Sequence, residues 1–150
     1  MSGRLVHAFL RAMDRVAAII PHRHGEAKPP HQLTGKQGEE DAYFYLRRLG
    51  YVIVGRNFRT PRRRGEIDLI GWDGEVLCFI EVKTRTSHDV KPAEAAVDRA
   101  KRHELSSMAR EYLGHLRYSP AWRFDILTVY YEQRSVSPKF ELFKNAFRVS

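Results

Sequence analysis

Cysteine occurs once in the 150 residues, as Cys78. A single thiol excludes an intrachain disulfide and any multi-cysteine zinc site. Set in an apolar run, it reads as an inert core side chain. Long uninterrupted hydrophobic runs are also missing. The stretch LVHAFLRAMDRVAAII near the N-terminus comes closest, but Arg11, Asp14 and Arg15 break it. It is too short and too charged for a membrane span and lacks the apolar core of a secretory signal. The expectation is a cytoplasmic chain with no obligate membrane attachment. Internal repeats and low-complexity tracts are absent. Acidic residues are in short supply, 18 against 26 basic, for a net charge of +8. That imbalance favours an anionic partner, either nucleic acid or a membrane surface.

What is present suits one soluble globular domain, with 43% apolar and 29% charged residues. Residues 1–32 divide from the rest as an amphipathic helix and linker. Leu5, Phe9, Ala12, Met13, Val16 and Ile20 fall at helical spacing. Such a helix could bind a protein or membrane surface, fold back on the domain, or extend from it. The following PHRHGEAKPPHQLTG carries three prolines and two glycines and reads as a linker. Its His22, His24 and His31 are metal-ligand types, but no fourth ligand or rigid frame accompanies them.

Residues 33–150 carry the domain. A helix is expected over Gln37–Leu49, with Ala42, Tyr43, Leu46 and Leu49 as its apolar stripe and Thr34 near its start. Gly50 ends it, and YVIVGR (Tyr51–Arg56) reads as the first strand. GEIDLI (Gly65–Ile70) and EVLCFIEVK (Glu75–Lys83) flank Gly71-Trp72-Asp73-Gly74, whose Asp-Gly pair marks a hairpin. PAEAAV suggests a short helical turn. Asp98 is an N-cap for a helix to about Leu113, striped by Leu105, Met108, Ala109 and Tyr112. Trp122–Tyr131 is near-continuously apolar and reads as a central strand. Ser135–Phe143 is a weaker edge strand. The order α, β, β, β, α, β, β implies a mixed sheet flanked by helices.

The hairpin is where chemistry concentrates. Side chains two apart on a strand share a face, so Glu66 pairs with Asp68 and Glu81 with Lys83. Charges among Ile67, Leu69, Phe79, Ile80 and Val82 are costly to bury unless paired or metal-bound. A cross-strand ion-pair set and a metal site both satisfy that cost. Glu39 lies on the edge of the first helical stripe, where a carboxylate also complements the helix dipole; Glu40 competes with poorer spacing. Arg56, Arg59, Arg62, Arg63 and Arg64 place five guanidiniums within nine residues directly before the hairpin. The run is either a solvated surface or a phosphate-binding loop. Lys101, one turn before Leu105, either snorkels to solvent or reaches the hairpin's charged end.

Asp68 followed 13 positions later by Glu81-Val82-Lys83 resembles the PD-(D/E)xK nuclease superfamily. GEIDLI with FIEVKTR is similar to the YraN family of small bacterial proteins, described as endonucleases. Gly38-Glu39-x-x-Ala42 with Tyr45-Leu46 and Gly50-Tyr51, Asn57 with Arg59, Arg123-Phe124-Asp125 and Asn145-Ala146-Phe147 match the same family, over roughly residues 33–148. The resemblance implies a restriction-endonuclease-like α/β fold, a mixed central sheet flanked by helices, for an endonuclease-like domain over 33–150. It implies Mg²⁺ or Mn²⁺ held by Asp68, Glu81 and the carbonyl of Val82. Lys83 would act on the attacking water, and Glu39 would lean toward the metal. It also implies nucleic acid, DNA above all, contacted by Arg59, Arg62, Arg63, Arg64 and Lys101. Branched or single-stranded DNA and a homodimer are compatible with it. The competing expectation is a nucleic-acid-binding module that keeps the fold without turnover.

Overall fold

The computed structural model describes residues 35–86, 97–132 and 136–148. The N-terminal helix, the histidine-bearing linker, Thr34 and most of PAEAAV lie outside the described residues. The elements run α1 (Gly35–Arg48), β1 (Val52–Phe58), β2 (Ile67–Asp73), β3 (Val76–Arg85), α2 (Arg99–Gly114), β4 (Ala121–Tyr130) and β5 (Lys139–Phe147). The five strands form one sheet in the order β1-β2-β3-β4-β5. Only β3 and β4 are parallel, and α2 is the crossover helix between them. The architecture is therefore an α/β mixed sheet with helices, compatible with a restriction-endonuclease-like fold.

Among the described residues each face of the sheet carries one helix, and the strands' two-residue period sorts the core accordingly. Leu77 and Phe79 of β3 join Ile70, Trp72, Phe124 and Ile126 beneath Leu105, Met108 and Ala109 of α2. Cys78, Ile80 and Val82 join Leu69, Leu127 and Val129 beneath Ala42 and Leu46 of α1. A strand covered on both sides must be apolar at both parities, and Leu77–Ile80 are 0–1% exposed. Full burial of such a side chain stabilises by about 1.5–3 kcal/mol each. Burial pushes the Cys78 thiol up to about 12, which keeps it protonated and inert.

Two local expectations are corrected, and the reading of Trp122–Tyr131 as a central strand holds: β4 is buried and pairs with β3 on one side and β5 on the other. The hairpin turns at Gly74-Glu75, because Asp73 still pairs with Val76 and only Gly74 takes a left-handed conformation, φ 62°. Leu49 is exposed, since α1 ends at Arg48 before the stripe completes another turn. The edge expectation for the last strand holds: β5 pairs only with β4, and Phe140 and Leu142 lie against the α1-side core. Asp98 caps α2 as expected, its side chain accepting from the Lys101 N–H.

Candidate functional site

The ladder between β2 and β3 reaches Leu69 opposite Ile80, so the next step sets Asp68 opposite Glu81 on the α2 side of the sheet. Both carboxylates are buried, at 8% and 6% exposure. The strand pair diverges here. Instead of a backbone rung, Asp68 Oδ2 accepts the Val82 N–H at 2.7 Å. Glu81 Oε1 accepts from Lys83 Nζ at 2.9 Å and lies 3.7 Å from Lys101 Nζ. Glu81 Oε2 is buried and has no hydrogen-bond partner among the described residues. A buried carboxylate oxygen left so costs free energy unless a ligand completes it.

Burial raises the Asp68 carboxyl to about 7, and the nearby Glu81 and Glu39 carboxylates add to the shift. The Val82 N–H and Lys101 work in the opposite direction. Desolvation with like charge around an acid is the signature of a site that a cation would relieve.

A second set of oxygens adjoins these. Glu39, Glu66 and Asp68 each offer an oxygen, all within 4.8 Å of one another. Glu39 arrives from the second turn of α1. Asn57, at φ 48° in β1, donates to its Oε2 at 2.8 Å and aims it. Gly38 lets the helix approach closely: a Cβ there would lie 2.0 Å from Thr84 Oγ1, next to Lys83. Arg59 grips Glu66 Oε2 with Nε at 2.9 Å and Nη2 at 2.6 Å. The donors are all hard oxygens, which suits Mg²⁺ or Mn²⁺ better than a soft metal.

The fold thus brings Glu39, Asp68, Glu81 and Lys83 to one end of the β2–β3 hairpin. Glu40 instead lines a groove with Gln37, Asp41, Phe44 and Phe140. Lys101 joins the hairpin's charged end through Glu81. Arg59 is tied to Glu66. Arg62, Arg63 and Arg64 are exposed on the loop between β1 and β2, which is anchored where Glu104 of α2 accepts the Gly65 N–H at 2.9 Å. Val82 enters the site through its N–H, which donates to Asp68. Sequence reasoning put Glu66 on the Asp68 face but missed it as a cluster member, though the two-residue period was the signal. Nothing local in the sequence singles out Glu104.

The fold and this site together define an α/β protein whose mixed sheet presents carboxylates and lysines at the end of a central hairpin. The chain belongs to the family described as "Uncharacterised protein family UPF0102", whose model matches residues 38–129. That span contains Glu39, Asp68, Glu81, Lys83 and Lys101. A UPF0102 protein of Koribacter versatilis is 52% identical over 139 residues, 93% of this chain and 94% of its own, and so reaches into the segment before residue 33. One from Solibacter usitatus is 46% identical over 75% of this chain and 84% of its own. One from Chlorobaculum tepidum is 41% identical over 79% and 94%. No described helix is long and apolar enough to cross a membrane.

Proposed function

We propose that the protein is a divalent-metal-dependent nuclease that hydrolyses phosphodiester bonds in DNA, branched or single-stranded forms included. The observation that carries the reading is Glu81 Oε2, a buried oxygen without a hydrogen-bond partner among the described residues, set opposite Asp68 and beside two lysines. The resemblance of GEIDLI and FIEVK to the YraN and PD-(D/E)xK nucleases supports it. Asp68 and Glu81, with the Val82 carbonyl, would hold Mg²⁺ or Mn²⁺, and Glu39 and Glu66 lie close enough to hold its waters. When bound, the ion would supply Lewis acidity and lower the pKa of water.

The chain's own groups do the rest. The Val82 N–H fixes the Asp68 carboxylate, and Asn57 fixes that of Glu39. Lys83 presents an ammonium at the rim of the buried pair, placed to orient the attacking water and stabilise negative charge on the phosphoryl oxygens. Lys101 neutralises the same carboxylate from the opposite helix. A DNA substrate fits both the positive charge and a cytoplasmic protein.

The second reading, a binding module without turnover, draws on the internal pairing of Glu39 with Asn57 and Glu66 with Arg59. A panel of duplex, branched and single-stranded DNA and RNA, incubated with Mg²⁺ or Mn²⁺, separates the two. Cleavage by the wild type that Asp68→Ala abolishes establishes the nuclease. Binding without cleavage under either metal establishes the module.

A further inference from the structure

Arg59 and Glu66 are the first residues past the last backbone rung between β1 and β2, Phe58 opposite Ile67. Their side chains add one more rung. Arg59 gives Nε at 2.9 Å and Nη2 at 2.6 Å to the same oxygen, Glu66 Oε2. The pair closes the base of the loop that carries Arg62, Arg63 and Arg64. The Arg59 side chain is 68% exposed and that of Glu66 29%. Glu66 belongs at the same time to the carboxylate cluster, one of its oxygens lying within 4.8 Å of those of Glu39 and Asp68. One residue thus joins the carboxylates to the basic loop.

Three carboxylates this close repel one another unless donors or positive charge compensate them. Asn57 supplies a donor to Glu39, and Arg59 supplies the charge at Glu66, as a bound cation would. The hold of Arg59 is weak, because water screens an ion pair this exposed. Both of its N–H groups also converge on a single oxygen, whereas phosphate takes them on two oxygens in the parallel fork that suits a guanidinium. The backbone at Glu66 keeps its place without Arg59. Glu104 accepts the N–H of the preceding Gly65 at 2.9 Å, and a Cβ on Gly65 would lie 2.7 Å from that carboxylate.

We propose that Arg59 and Glu66 form a latch that couples nucleic-acid binding to cation binding: a backbone phosphate takes the Arg59 guanidinium, and Glu66 is released to face the cation with Glu39 and Asp68. The inference rests on the nuclease reading and extends it. Without nucleic acid, Arg59 competes with the cation for Glu66. With it, Arg59 has a better partner, so each ligand strengthens the binding of the other by the same factor. Arg59 answers to the phosphate backbone and reads no bases, so the coupling is the same on any sequence.

The test reads the latch from both ends, as affinity for a fluorescent DNA duplex in a chelating buffer and as affinity for Mn²⁺ without DNA, by titration calorimetry. Glu66→Gln should tighten DNA binding. The gain should be about two- to fivefold larger in the wild-type background than in Arg59→Gln, where no guanidinium is left to release; that is the scale of an exposed ion pair. Arg59→Gln should bind Mn²⁺ about two- to fivefold more tightly than Arg62→Gln, which removes one charge from the same loop and leaves the Glu66 pair intact. Equal gains from Glu66→Gln in the two backgrounds, or equal Mn²⁺ affinity in Arg59→Gln and Arg62→Gln, overturn the latch and leave the nuclease reading standing. Wild type that lacks Mn²⁺ binding or DNA binding overturns both.

Discussion

Lys83 holds Glu81 by a single carboxylate oxygen, and Lys101 approaches that same oxygen from the facing helix. The division leaves the other oxygen free for a cation while the lysines prevent the buried charge from being wholly uncompensated. Removing Lys83 should therefore abolish cleavage, by at least about a hundredfold in kcat, the usual scale for a group acting on a transition state. DNA affinity should stay near wild type, because phosphate binding is assigned to arginines elsewhere. Lys83→Arg keeps the charge but not the compact ammonium, and should be impaired as well. Single-turnover cleavage and equilibrium binding, measured on the same variants, check this. An active Lys83→Ala protein removes the residue from the chemistry.

The carboxylates predict a metal response independent of activity. Mg²⁺ or Mn²⁺ at a hundredfold excess over Kd should stabilise the wild type by about 2.7 kcal/mol, since it binds the folded chain alone. Asp68→Ala/Glu81→Ala should lose that response. Thermal melts with and without metal make the comparison, and equal stabilisation in both proteins would place any bound ion elsewhere.

Asp68 sets a pH dependence in the metal-free protein. Its carboxyl titrates near 7 in the fold, against 3.8 as the reference value, chiefly because it is buried. Between those values the folded state holds a proton that the unfolded chain has released. Stability should consequently be greatest below about pH 4 as far as this group is concerned, and decline as pH rises through about 7. Asp68→Asn removes the titration, so its melting temperature should fall less than that of wild type over that interval. Parallel curves in a chelating buffer would show that the group is ordinary.

The sequence made the hairpin legible because period-two alternation, an Asp-Gly pair and misplaced charges all point to one, although the turn itself falls one residue later than that pair suggests, at Gly74-Glu75. Asp98 as a cap and the stripe of α2 were legible for the same reason: the signals are local. Partnerships across the chain were not. Arg59 reads as part of a basic loop, yet it closes on Glu66 seven residues away because β1 and β2 pair across the intervening turn. Glu104 reaches Gly65 from 39 positions on, a contact that no window of sequence contains. The lone Glu39 became meaningful only when α1 crossed the strand ends and Asn57 turned to meet it.

The loop arginines should separate binding from chemistry. Arg62, Arg63 and Arg64 are exposed, and Gly65 behind them is pinned by Glu104. Replacing the three with alanine removes up to three phosphate contacts and should lower the salt-slope magnitude by about 0.9 for each one lost. Metal binding should persist, because the residues proposed to hold the ion, Asp68, Glu81 and Val82, sit on strands away from the loop. Affinity measured over a salt series on two unrelated duplexes tests both points. A loss confined to one sequence would mean that the loop reads bases.

A second buried charge cluster serves as the counter-case, because its geometry is that of a structural lock. Asp125 is fully buried on the α1 side of β4. Its Oδ1 accepts Arg123 Nε at 2.8 Å and the Asn145 N–H at 2.9 Å. Arg123 continues to Asp73 at 2.7 Å and to the Tyr51 hydroxyl at 3.1 Å. Asn145 has φ 53° where the β4–β5 register shifts, so Asp125 secures an edge strand at its irregular point. Asp125 Oδ2, like Glu81 Oε2, is buried without a hydrogen-bond partner among the described residues, so the contrast lies in the surroundings: Asp125 sits with a paired arginine and with backbone, whereas Asp68 sits among other carboxylates. Asp125→Ala should cost about 3 kcal/mol or more, the scale for breaking a buried ion pair. Asp125→Asn, which can still accept from Arg123, should cost less. Mg²⁺-induced stabilisation should survive in Asp125→Asn, measured at a temperature where the variant is folded. Loss of that response would move the metal to the Arg123 end of the sheet, and would leave the pairing of Asp68 with Glu81 as the structural element instead.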